Sequence, residues 1–146
     1  MSIVVKPNSN FTFGVYQRIK HENVGWKWLK FEARMMKKGH EWTHQTGTDE
    51  LVIVLLGGKF KVSSNRGSWE TINARKNVFC GIVHTLYLPP NTQFKLTVTS
   101  DTLYVGYGWC FIEGSFGPKF VKPASILVVI LTVLIYLLFS LLFISL

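Results

Sequence analysis

The sequence predicts an all-β domain over residues 1–125, an antiparallel sandwich or barrel, followed by a C-terminal apolar helix over 126–146. Three observations carry this expectation. Apolar and polar side chains alternate over short stretches, turn-forming clusters interrupt them about every ten residues, and charge stops before the tail. All 16 Lys and Arg and all 8 Asp and Glu precede residue 126.

In chain order, Leu29, Phe31, Ala33 and Met35 fall at period two, the spacing of a half-buried strand. Lys37-Lys38-Gly39 follows as a turn. Leu51 to Leu56 is continuously apolar, as a central strand buried on both faces would be, and Gly57-Gly58 is expected to close a tight hairpin into Lys59-Phe60-Lys61-Val62. Further turns are expected at Ser63-Ser64-Asn65-Arg66-Gly67, at Pro89-Pro90-Asn91 and at Ser100-Asp101. Between them lie the alternating pairs Leu86/Leu88 and Phe94/Leu96/Val98. No long helical pattern competes before residue 126, and no repeat is present.

Five Trp and eleven Phe need a core, which excludes disorder. The net charge of +8 is spread thinly, with no block of five cations and no helix-turn-helix, zinc-finger or RNA-recognition signature. Nucleic acid is therefore not expected as a partner, and the charge serves solubility or draws in an acidic small molecule. Cys80 and Cys110 stand apart in apolar contexts without a CxxC, so both are expected as reduced thiols in a cytoplasmic protein. Lys6 and Pro7 interrupt any leader-like apolar run. The tripeptide Asn10-Phe11-Thr12 matches the glycosylation acceptor by accident.

His40-Glu41-Trp42-Thr43-His44 spells the zincin pentad, in which two His one helical turn apart bind zinc and the Glu activates a water. That chemistry requires a helix. Gly39 before the pentad and Thr46-Gly47-Thr48 after it argue for strand and turn, so a zinc metalloprotease is the lesser alternative and solvent-edge histidines are expected.

Taken as strand, turn and strand, Gly39, His44, Thr46, Glu50 and Gly57 resemble the first cupin motif. In cupins that motif places two His and a Glu on inward strand positions, where they meet a later His on one divalent metal. Here Thr46 replaces the second His. The later motif falls on Pro89, Asn91 and Phe94, so Phe94 stands at the last ligand position. His44 and Glu50 alone do not make a metal site, and both are expected as hydrogen-bonding rim residues. His84 lies close enough in sequence to lend a nitrogen in principle, five positions before Pro89. The resemblance narrows the fold to a cupin-like jelly roll.

The match is closer still in order. Lys6-Pro7-Asn8, Gly25-Trp26-x-x-Leu29-x-Phe31-Glu32, Glu50 to Gly58, Trp69-Glu70-x-Ile72, Arg75-x-x-Val78-Phe79, Leu86-Tyr87-Leu88-Pro89-Pro90 and Lys119-x-x-Lys122-Pro123-Ala124 follow one another. Over about residues 3–125 the chain resembles the N-terminal lobe of the 5-deoxyglucuronate isomerase family, bicupin enzymes of myo-inositol breakdown. The resemblance implies aldose–ketose isomerisation through an ene-diolate, with a divalent metal polarising two oxygens. It also implies that the family's ligands, three His and a Glu, belong to a C-terminal lobe for which this chain has no counterpart. No catalytic, cofactor-binding or metal-ligating residue is therefore assigned to residues 1–125, and the chain is expected to be a truncated member, inactive alone.

The apolar segment 126–146 would span roughly 30 Å as a helix, enough for a bilayer core. Lys119 and Lys122 before it would leave the domain facing the cytosol as a C-terminally anchored protein. It also begins where the family sequence would enter its second lobe, as a shifted frame or read-through would. A metal-free, membrane-anchored cupin that binds or scaffolds is thus the alternative function. An acidic sugar, implied by the family, a second copy of the chain and a membrane are the expected partners.

Overall fold

The computed structural model describes residues 13–20, 25, 27–81, 83–114 and 116–122, and within them every regular element is a strand. These are β1 (Gly14–Ile19), β2 (Lys30–Lys37), β3 (Glu41–Gln45), β4 (Asp49–Gly57), β5 (Phe60–Ser64), β6 (Gly67–Glu70), β7 (Thr85–Leu88), β8 (Gln93–Val98), β9 (Thr102–Phe111) and β10 (Lys119–Val121). A six-stranded sheet runs β1-β2-β9-β4-β7-β10 and a four-stranded sheet runs β3-β8-β5-β6. Every pairing between the named strands is antiparallel.

The expected alternation places the core. Leu51, Ile53 and Leu55 from β4, Leu86 and Leu88 from β7, and Leu103, Val105 and Tyr107 from β9 meet Phe60, Val62, Phe94, Leu96 and Val98 of the facing sheet. This is the sandwich predicted from the period-two stretches. β4 lies between β9 and β7, and its second face carries Val52, Val54 and Leu56, which are half-buried. A strand paired on both sides and apolar on both faces reads as a continuous apolar run.

Gly57-Gly58 does not close a hairpin, in contrast to the expectation. β4 and β5 belong to different sheets, and Gly58 is the corner where the chain passes from one layer to the other. Its φ is +92° and an added Cβ would lie 2.2 Å from the Thr102 carbonyl oxygen, so only glycine fits. Two glycines between apolar strands signal a sharp change of direction, and a sandwich corner satisfies that signal as well as a hairpin does.

The other turns stand as expected. Gly39 (φ +81°) follows β2, Asn65-Arg66 joins β5 to β6, and Asn91 (φ +58°) adopts the left-handed conformation between β7 and β8. The expected apolar helix over 126–146, the boundary at 125 and the Asn10 tripeptide lie outside the described residues. Among the described residues no helix is long and apolar enough to cross a membrane.

β2 shows the main departure from a simple alternation. Phe31 and Ala33 share the face away from the sandwich core with Gly106, against which the Phe31 ring packs at 3.2 Å from a would-be Cβ. Lys30, Glu32, Arg34 and Met36 therefore occupy the inward positions. Met36 joins the core, while the three charged residues line the open end of the barrel.

Candidate functional site

Four strands bring polar side chains to this open end, the barrel mouth. β2 supplies Glu32 and Arg34, β3 supplies Trp42 and His44, β4 supplies Asp49 and Leu51, and β9 supplies Tyr107 and Trp109. Two adjoining cavities of about 150 and 160 Å³ share His44, Leu51 and Trp109. Antiparallel register explains the convergence: Glu32 lies opposite Tyr107, and Leu51 opposite Trp109.

The charges are ordered by a short chain of contacts. Arg18 Nε donates to Glu32 Oε1 at 2.5 Å, and the Tyr107 hydroxyl donates to Glu32 Oε2 at 2.5 Å. Arg34 reaches the same hydroxyl oxygen with Nε and Nη2, each at a long 3.4 Å, while its guanidinium stacks 4.7 Å above the Trp42 ring. Tyr107 is 3% exposed and stacks on Trp109 with ring centroids 5.6 Å apart. Burial, reinforced by the bond to Glu32, pushes the Tyr107 phenol up to about 12, so it stays a proton donor at neutral pH. Burial pulls His44 below its ordinary value, the Arg34 charge adds to this, and Glu32 opposes it. At neutral pH its imidazole is thus an uncharged donor and acceptor. Lys30 and Asp49 complete the rim with an ion pair at 3.6 Å.

The residues singled out from the sequence are not brought together. His40 precedes β3 and His44 lies within it. Four residues of extended chain separate them by roughly 13 Å, too far for one zinc ion, and Glu41 pairs with Lys95 at 3.1 Å. The metalloprotease reading therefore has no geometric basis. His44 points to the mouth, where its ring packs on Trp42 and Phe94. Glu50 alternates with the core residue Leu51 and accepts a hydrogen bond from Cys110 Sγ at 3.3 Å on the other side of the sheet. The Cys110 thiol is raised by burial and by that carboxylate, so its sulfur is not a thiolate ligand at neutral pH.

Thr46 and Phe94 have structural duties at the two remaining cupin ligand positions. Thr46 is buried, donates to the Pro89 carbonyl at 3.0 Å and accepts from Thr92 N–H at 2.9 Å, tying the end of β3 to the turn before β8. Phe94 lies across from His44 in the register and is part of the core. Among the described residues no three of His, Cys, Asp and Glu cluster as metal ligands would. The cupin ligand positions do not fit a divalent ion, because Phe94 has no donor atom, the Thr46 hydroxyl is spent on Pro89 and Thr92, and the Glu50 carboxylate is bonded to Cys110 on the other side of its sheet.

His84 serves elsewhere. It lies beside Leu55, whose N–H donates to the His84 carbonyl, four residues and about 13 Å along β4 from Leu51. Its ring is 2% exposed, lies against Phe120 and accepts from Ile72 N–H at Nε2, 3.3 Å. This contact places the proton on Nδ1, which has no partner. Burial, with the Lys122 and Arg75 charges behind it, lowers its pKa from 6.5. The unfolded chain therefore binds the proton more readily, so stability is complete above about pH 6.5 and is lost as pH falls below that value. We predict a lower urea midpoint at pH 5.5 than at pH 7.5, with a smaller difference in His84→Phe. A midpoint that is unchanged or higher at pH 5.5 would contradict the assignment.

Glu32, Arg34, Tyr107 and Trp109 escaped sequence reading as site residues. The one signal was Lys30, Glu32 and Arg34 at period two, set against the more conspicuous apolar set at alternate positions of the same strand.

The model of the KduI/IolB family matches residues 3–131. A 5-deoxy-glucuronate isomerase of Geobacillus kaustophilus is 27% identical over 127 residues, covering 85% of this chain and 45% of that protein. The homologous isomerase of Geobacillus thermodenitrificans is 28% identical over 124 residues, with 84% and 45% covered. The chain thus spans about 45% of the length of the curated relatives it matches. Among solved structures, an IolB-like protein of Salmonella typhimurium superposes with a TM-score of 0.71 at 24% identity, over 79% of this chain and 44% of that one. An RmlC-like cupin of Methanocaldococcus jannaschii with a double-stranded β-helix fold gives 0.56 at 12% identity, over 76% and 92%. The fold is a cupin jelly roll, and the chain belongs to the KduI/IolB family.

Proposed function

We propose that this domain is the metal-free cupin lobe of a 5-deoxy-glucuronate isomerase, one unit over about residues 1–125, and that it does not isomerise sugar by itself. The carrying observation is the divergence of the cupin ligand positions: His44 faces the mouth, Glu50 faces the other side of its sheet, and Thr46 and Phe94 are committed to packing and turn bonds. Aldose–ketose isomerisation needs a charge sink for the ene-diolate oxygens, and loss of one such component commonly costs a factor of hundreds. The lobe's contribution to catalysis is then support of a catalytic partner lobe.

The direct test is conversion of 5-deoxy-glucuronate by the 146-residue chain with added Mn²⁺, Fe²⁺ or Zn²⁺. No turnover is expected. A fusion that carries the C-terminal half of a family isomerase after Ser125 is expected to exceed that background by factors of hundreds or more. Turnover by the chain alone, abolished by Glu50→Gln, would overturn the proposal, as would a folded fusion that stays at background.

A further inference from the structure

The mouth of a lobe without catalytic ligands still holds an ordered set of polar groups. Glu32 is compensated: Arg18 engages one of its oxygens and Tyr107 the other. Arg34 is not. Among the described residues no carboxylate comes within ion-pair distance of it, and its partners are a phenol oxygen at 3.4 Å and the Trp42 face. A half-buried guanidinium that lines a cavity without an anion is short of compensation. Its planar fork, held over the indole and against the Tyr107 hydroxyl, is preorganised for bidentate contact with a carboxylate. A bare anion would leave the remaining groups unsatisfied, because Glu32 can only accept hydrogen bonds and His44 needs a polar partner. A ligand that suits both must carry a carboxylate and hydroxyl donors. The cavity of about 150 Å³ around Arg34 equals the liquid volume of roughly five waters, the size of a short-chain acid.

We propose that the barrel mouth is a binding site for a small hydroxycarboxylate, with the carboxylate on the Arg34 fork and the hydroxyls on Glu32 and His44, over a floor of Trp42 and Tyr107. The site is independent of the isomerase reading: it requires neither a metal nor a second lobe, and it holds whether or not the family reaction depends on this domain.

Titration of the 146-residue chain with D-glycerate, followed by calorimetry and saturation-transfer NMR, tests it. Saturable binding with a Kd of about 0.1–1 mM is expected for a ligand of this size. Arg34→Gln is expected to weaken binding at least tenfold, and Arg34→Lys, which keeps the charge and loses the fork, by an intermediate factor. Should Arg34→Gln fail to fold, Tyr107→Phe, which removes the oxygen that anchors Arg34, is expected to weaken binding about threefold. Propionate and inorganic phosphate are expected to bind at least fivefold more weakly than glycerate, since neither places a neutral hydroxyl on Glu32 or His44 beside a carboxylate. Absence of glycerate binding, undiminished binding by folded Arg34 variants, or equal binding of propionate or phosphate would each overturn the proposal.

Discussion

Replacing Arg75 by Met is expected to destabilise the domain by about 3–4 kcal/mol, since each buried carbonyl left without its donor costs about 1–3 kcal/mol. Arg75 is 9% exposed, yet no carboxylate compensates it among the described residues. Its guanidinium is spent on main-chain oxygens: Nη1 donates to Leu55 at 2.6 Å, Nη2 to Val78 at 2.7 Å and Nε to Cys80 at 3.4 Å. The Arg75 backbone also exchanges both of its hydrogen bonds with Gly58, at 2.6 and 2.9 Å. One residue therefore ties the loop after β6 to the end of β4 and to the corner between the sheets. Met fills much of the same volume and supplies no donor, so the oxygens of Leu55 and Val78 lose their partner. At about 2–4 °C per kcal/mol for a chain of this size, the melting temperature should fall by roughly 10 °C. Arg75→Lys should recover part of the loss, because one ammonium reaches at most some of the three oxygens. A loss under about 1 kcal/mol for Arg75→Met would show instead that water replaces the guanidinium freely.

Much of the architecture was legible because strand period and turn chemistry are local properties. Phe60/Val62, Leu86/Leu88 and Phe94/Leu96/Val98 alternate because one face of each strand is buried, and all seven lie in the core. The sandwich corner at Gly58 was less legible: a left-handed glycine before a new strand is demanded equally by a hairpin and by a change of layer, and which one forms depends on β5 pairing with β8 and not with β4. The order of motifs along the chain identified the family, as the match over residues 3–131 shows.

The mouth was hidden for a different reason. Arg18, Glu32, Arg34, His44 and Tyr107 are scattered over 90 positions and meet only through the registers of β1 with β2 and β2 with β9 and the packing of β3 from the facing sheet. No linear motif spans them. Of the motifs that were visible, the zincin pentad fell on extended chain, on β3 and the residue before it, and the partial cupin set fell on β3, the turn after it, β4 and β8. Spacing along a chain becomes proximity only when the backbone conformation is right: an i, i+4 pair is one turn apart in a helix and about 13 Å apart in a strand.

A structural or catalytic divalent site holds its ion through three or four converging donors, and affinity falls away when that count is not met. Here His44, Thr46 and Glu50 border the mouth, but the Thr46 hydroxyl is engaged by Pro89 and Thr92, the Glu50 carboxylate by Cys110 across the sheet, and the fourth position is Phe94. The nearby Glu32 carboxylate is occupied by Arg18 and Tyr107, and the Arg34 charge disfavours a second cation. Elemental analysis of the 146-residue chain, after incubation with Mn²⁺, Fe²⁺ or Zn²⁺ and exhaustive dialysis, reads whether the mouth retains an ion. Far less than one bound ion per chain is expected, unchanged in His44→Ala. Retention of close to one ion per chain, lost in His44→Ala or Glu50→Gln, would contradict it and restore a metal-dependent cupin site in this lobe.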